Sequence, residues 1–161
     1  MERLWAPWRM LYVGREQPPG CLFCRVIENP DDPDAALVVW RPEGAIVVLN
    51  KFPYNPGHAM VAPFAHKASL EELDDAETLD LMRAVRRTFT VLRQTMNPDG
   101  LNAGVNIGRA AGAGIPDHVH FHIVPRWNGD TNFMAVIDDV KIVNEALGQT
   151  ADKLKRAFAA T

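Results

Sequence analysis

The chain has 161 residues, of which 47 % are hydrophobic and 23 % charged, with a formal net charge of −3. That size and balance suit one globular domain with a single core, and the charge gives no general reason to expect nucleic acid or an acidic membrane as partner. Charge and proline interrupt the apolar residues of MERLWAPWRMLYVG, and nowhere do about 18 apolar residues run together, so neither a signal peptide nor a spanning helix is expected.

Residues 1–20 are rich in Trp, Pro and Arg and read as an arm docked on the body, with Trp5, Trp8 and Arg9 at its centre. Ala36–Trp40 and Ala45–Asn50 are β-branched apolar runs separated by RPEG, which predicts a hairpin. KFPYNPG is a loop, and His58–Pro63 a short third strand. From Leu70 the apolar positions step by three and four through Leu73, Ala76, Leu79, Met82, Val85, Phe89 and Leu92 to Met96. This predicts one long amphipathic helix stopped by Pro98-Asp99-Gly100, with Ser69 and Glu72 as a capping box at its start. LNAGVNIG is a weak strand, RAAGAG a glycine loop, and HVHFHIVPRW the next strand. Phe133–Ile137 reads as a further short strand, and residues 138–161 as a helical extension of the same domain. Strands on both sides of one long helix give an α+β class with a mostly antiparallel sheet.

Three of the five histidines, His118, His120 and His122, occur at every second position of HVHFHIVPRW. Side chains alternate along a strand, so the three imidazoles share one face and Val119, Phe121 and Ile123 the other. A helix would scatter them, since each residue turns about 100°. The pattern admits a solvated strand face, a metal centre, or chemistry on phosphorus. An unprotonated imidazole is a good nucleophile near neutral pH, and the glycines of RAAGAG let backbone N–H groups approach phosphate oxygens. The two cysteines, Cys21 and Cys24, form a Cys-x2-Cys element. Two cysteines make a poor disulfide framework, which favours a reducing cytoplasm. They could be a redox pair or two buried thiols; for tetrahedral zinc they need two more ligands, and His66 and His118 are the best candidates.

HVHFHIV follows the pattern His-φ-His-φ-His-φ-φ with φ hydrophobic, and PGHAMVAP lies upstream as a second landmark. On these residues the chain resembles the histidine-triad (HIT) family, over roughly Cys21 to Trp127. The resemblance implies a HIT-like fold with a five-stranded sheet, one long helix and a C-terminal helix, filling residues 21–137 and extended by 138–161. It also implies a homodimer whose nucleotide pockets lie on a shared sheet. By motif, His120 matches the nucleophile that forms a nucleotidyl-histidine, His122 the histidine that contacts the scissile phosphate, and His118 the first of the triad. His58 matches the histidine that completes the cluster from the neighbouring strand, and Asn50 the residue on the ribose hydroxyls. Asn106 resembles a phosphate-side Asn; Leu22, Phe23 and Leu49 are candidates for the adenine pocket, each also readable as core. Several bacterial members use two cysteines, a histidine after the PGH strand and the first triad histidine to hold a structural zinc, which supports the set Cys21, Cys24, His66 and His118.

Two departures bear on activity. Gly114 stands where the hydrolase branch places a Gln, and Ile115 where the phosphoramidase branch places a hydroxyl. PRWNGDTNF after the triad and LWAPWRMLYV at the N-terminus look instead like the bacterial diadenosine-tetraphosphate phosphorylase branch. The small Gly114 would leave room for inorganic phosphate, Arg126 or Lys51 would attract it, and Gly112 of the same glycine loop is a further nucleotide-binding candidate. The leading expectation is therefore a dinucleoside-polyphosphate phosphorylase or hydrolase. A phosphoramidase or adenylyl hydrolase, a non-catalytic nucleotide-binding regulator and a structural zinc protein are the alternatives.

Overall fold

The computed structural model of the chain describes residues 19–130 and 145–160. The expected N-terminal arm, the Phe133–Ile137 strand and the first part of the C-terminal extension lie outside the described residues. Five strands, β1 (Val38–Trp40), β2 (Ala45–Leu49), β3 (Ala59–Pro63), β4 (Gly100–Val105) and β5 (Phe121–Arg126), form one antiparallel sheet of order β1-β2-β3-β5-β4. Among the described residues three α-helices accompany them: α1 (Leu22–Glu28), α2 (Asp75–Met96) and α3 (Leu147–Ala159). The α+β class, the sheet and both expected helices are as the sequence predicts. β4 lies at an edge of the sheet, bonded to β5.

Alternation along the strands sorts the apolar side chains into two layers. Val47, Leu49, Ala59, Val61 and Ile123 face α2 and α3, where Leu81, Val85, Leu92, Leu154 and Phe158 cover them. Ile46, Val48, Met60 and Ala62 face the opposite way and are covered by Phe23 and Val26 of α1. Each of these larger side chains contributes about 1.5–3 kcal/mol on full burial, so both layers hold the sheet. The register then places the site. Met60 of β3 is the partner of His122 on β5, so the histidine side is the α1 side of the sheet. Phe121 and Ile123 pack in the other layer, as the alternation requires.

Three expectations change in detail. Helix α2 begins at Asp75, not Leu70: Leu70–Glu72 is a 3-10 turn, and Leu73 is extended. The capping box is Asp74–Glu77, in which each side chain takes the other residue's backbone N–H at 2.9 Å, whereas Ser69 donates its hydroxyl to Glu72 and caps nothing. The first strand is shortened by a 3-10 turn over Ala35–Leu37. Helix α1 is an element the periodicity does not show, because seven residues turn only Phe23 and Val26 inward.

Candidate active site and metal centre

The histidine segment enters its strand late. β5 starts at Phe121, so only His122 lies within it, while His118 and His120 occupy the approach. That approach is fixed all the same, since the Val119 N–H donates to Lys67 O at 2.7 Å. Phe23 from α1 packs against the rings of both His118 and His120, with centroids 5.0 Å away in each case. His58, His118 and His120 are buried, and His122 is partly buried.

Hydrogen bonds to groups with only one possible role set the imidazole tautomers. The His120 Nδ1 lies 2.8 Å from His118 O; a carbonyl only accepts, so the proton is on Nδ1 and Nε2 is bare. The Tyr54 N–H donates to His58 Nδ1 at 3.1 Å, so the His58 proton is on Nε2, which donates to His122 Nδ1 at 3.0 Å. The His122 proton is therefore on Nε2. The His120 and His122 rings meet edge to face, with centroids 4.8 Å apart. One ring thus offers a lone pair and its neighbour an N–H donor.

Burial favours the neutral form of His120 and His122. It lowers the pKa of His120, against the opposing effect of the bond to His118 O. His122 is pushed down to about 4, by burial first and then by the charge of His120.

His118 serves a different cluster. Its Nε2–H donates to Pro63 O at 2.9 Å, which leaves Nδ1 bare and aimed at the cysteines. Cys21 is at the N-cap of α1 and Cys24 lies three residues on, so one helical turn presents both thiols on one side. His118 Nδ1 is 3.3 Å from Cys21 Sγ, 3.7 Å from Cys24 Sγ and 3.3 Å from His66 Nδ1, and Cys24 Sγ is 3.3 Å from His66 Nδ1. Zinc bonds of about 2.0–2.3 Å in a tetrahedron put ligand atoms about 3.3–3.8 Å apart, and these four separations match that range, while the whole set lies within 4.8 Å. The expected set Cys21, Cys24, His66 and His118 is brought together. Burial, with the hydrogen bond and charge of Cys21, pushes the Cys24 thiol up to about 11, a penalty that a bound cation removes.

The remaining candidates are scattered. Asn50 follows β2 on the histidine side; its backbone N–H donates to His58 O and its Oδ1 accepts from the Phe52 N–H at 2.9 Å. Leu49 is a correction to the adenine-pocket candidates: it is 1 % exposed and packs in the layer under α2, on the far face of the sheet. Phe23 lies behind the histidines and Leu22 packs against the α1 layer. Arg126 is four residues beyond His122, roughly 13 Å along the strand, and forms a two-pronged ion pair with Asp130 at 2.6 and 2.8 Å. Lys51 pairs with Asp34 at 2.9 Å. The structure gathers neither cation with the histidines. Asn106 directly follows β4, Gly112 closes the 3-10 turn over Arg109–Ala111 with φ 84°, and Gly114 is exposed. The groups that sequence reasoning missed are backbone ones: Pro63 O, His118 O and Tyr54 N–H.

Comparison with known proteins agrees with this geometry. Residues 33–129 match the HIT domain. The chain belongs to the HIT family. It is 36 % identical to the AP-4-A phosphorylase of Mycobacterium tuberculosis over 99 % of its length and 85 % of the relative's, which puts it on that branch. Among solved structures, a histidine triad nucleotide-binding protein from Sulfolobus tokodaii superposes with TM-score 0.70 at 26 % identity, covering 87 % of this chain and 93 % of that one. A Zn-bound histidine triad family protein from Mycobacterium smegmatis superposes with TM-score 0.68 at 27 % identity, covering 88 % and 94 %. No helix among the described residues is long and apolar enough to cross a membrane.

Proposed function

We propose that this HIT-family nucleotide-processing enzyme cleaves dinucleoside polyphosphates by nucleotidyl transfer through His120, and that inorganic phosphate takes the nucleotide off. The observation that carries the reading is the tautomer pattern, a bare Nε2 on buried His120 beside a protonated Nε2 on His122. In the first step the His120 lone pair attacks the α-phosphorus. A P–N bond forms, the P–O bond to the remaining polyphosphate breaks, and the His122 N–H stabilises the charge growing on the phosphoryl oxygens. In the second step a phosphate oxygen displaces the imidazole, so diadenosine tetraphosphate plus phosphate gives ATP and ADP.

The preference for phosphate over water rests on the full-length likeness to AP-4-A phosphorylase and on the small Gly114 where hydrolases carry a Gln. Asn50 is assigned to the ribose hydroxyls, Phe23 and Leu22 to the base side, and Asn106, Gly112 and Gly114 to the polyphosphate. Arg126 is left out of that set because Asp130 engages its guanidinium. Cys21, Cys24, His66 and His118 are assigned to one zinc ion, in a closed set with no open position for substrate. When bound, the metal supplies charge neutralisation for the thiolates and ties α1 to the histidine segment.

The chain is further assigned as a homodimer joined through the β4 edge, where Asn102, Ala103 and Gly104 are exposed. Product analysis of diadenosine tetraphosphate tests the function. ATP and ADP with phosphate are expected, and ATP with AMP at one rate regardless of phosphate would reject phosphorolysis.

A further inference from the structure

The His58–His122 pair depends on a turn that another part of the chain holds. The Tyr54 N–H that protonates neither ring but fixes both belongs to residues 52–57, a loop without helix or strand. The middle of that loop is Asn55, 9 % exposed, whose O accepts from the His58 N–H at 3.1 Å. The Asn55 Nδ2 donates to Pro125 O at 2.9 Å and to Asp130 Oδ2 at 2.7 Å. The same Asp130 carboxylate takes Nε and Nη2 of Arg126 at 2.6 and 2.8 Å and the Trp127 N–H at 3.1 Å. Arg126 continues to Asn102 Oδ1 of β4 at 2.8 Å. A charged acceptor with several donors in fixed places is a rigid joint, since moving any one of them leaves an ion without its hydrogen bonds.

We propose that Asp130 is a positioning residue for the proton arrangement of the active site, acting through Asn55. By clamping Asn55 to the end of β5, it holds the Tyr54 N–H on His58 Nδ1. That keeps the His58 proton on Nε2, where it donates to His122, and keeps the His122 proton on its Nε2. Without the clamp the Tyr54 N–H drifts from His58, Nδ1 of His58 becomes free to take the proton, and His122 loses its fixed tautomer. The role of that N–H in catalysis rests on the functional reading above; the clamp itself does not.

The test compares wild type with Asp130→Ala and, as an independent cut of the same joint, Asn55→Ala. Imidazole 15N shifts of the uniformly labelled, substrate-free protein report each tautomer. In wild type, His58 and His122 are expected protonated at Nε2 and His120 at Nδ1. In both variants His58 and His122 should move toward a mixed-tautomer pattern while His120 stays as it is, because its partner His118 O is on another segment. Turnover of diadenosine tetraphosphate should fall about tenfold to a hundredfold in kcat with a much smaller change in KM. If either folded variant keeps the wild-type tautomers at His58 and His122, the proposal is overturned. Should one variant fail to fold, the other decides alone. Because the shifts are read without substrate, a wild-type protein inert toward dinucleotides would overturn the functional reading and not the clamp.

Discussion

His118 and His122 are four residues apart on one segment, yet they belong to clusters of different geometry. At the His118 end four donor atoms converge within 4.8 Å of one another, as an ion requires. At the His122 end the nitrogens are strung in sequence, each N–H donating to the next acceptor, and the series ends on the Nε2–H of His122, whose ring meets that of His120 edge to face. The difference comes from the partner of the second ring nitrogen. A carbonyl at Nε2 of His118 leaves its Nδ1 lone pair facing the cysteines; a carbonyl at Nδ1 of His120 leaves its lone pair on Nε2, the nitrogen proposed to attack phosphorus. On the reading proposed above, the backbone thus selects which nitrogen each imidazole presents.

Separate substitutions at the two ends should sharpen that contrast. The largest effect belongs to His120→Asn, which should lower turnover by about four orders of magnitude or more while leaving nucleotide affinity within a few-fold. Steady-state kinetics and calorimetric titration check it; near-normal turnover would remove the distinction between the two ends. At the metal end, Cys24→Ser should abolish the expected one zinc per chain, read by elemental analysis. It should also lower Tm on the order of 10 °C, with a smaller loss of turnover than His120→Asn. A variant with wild-type Tm would show that the four ligands do not hold a structural ion.

The turn before His58 offers a third cut. Gly57 has φ 79°, and a Cβ there would collide with Met96 Sδ. Gly57→Ala should therefore cost about 2–4 kcal/mol in denaturant unfolding and disturb the His58–His122 pair, not the metal set. The mildest is a pH effect. Folded His122 stays neutral down to about pH 4, whereas the unfolded ring takes a proton below about pH 6.5. The unfolded state thus binds more protons between those values, so this ring's effect is to make stability fall as pH drops from about 6.5 toward 4. Replacing His122 by Gln should flatten that part of the stability profile.

Much of this was legible in the sequence, and the parts that were not have physical causes. The spacing of His118, His120 and His122 and the Cys21–Cys24 pair carry their geometry in the period of strand and helix. Leu49 was misplaced because β2, AIVVL, is buried on both faces; a continuous apolar run has no alternation to tell one face from the other. The start of α2 was misplaced because SLEELDDAE holds two capping-box patterns, Ser69–Glu72 and Asp74–Glu77, and only the structure selects the second. Arg126 looked available to phosphate because nothing in its immediate sequence announces that Asp130 folds back onto it. The tautomers were beyond reach altogether, since Pro63 O, His118 O and Tyr54 N–H are backbone groups: every residue type offers a carbonyl, and every type but proline an N–H.

The middle histidine, and no other nucleophile of the two clusters, is proposed to take the nucleotide. Rapid acid-free quenching of the enzyme with diadenosine tetraphosphate in the absence of phosphate, followed by peptide mass mapping, tests it most directly. One adenylyl group, acid-labile, is expected on the peptide carrying His120, chased to ADP when phosphate is added and absent from His120→Asn. An adduct on Cys21, Cys24 or another histidine, or full turnover in His120→Asn, would contradict it.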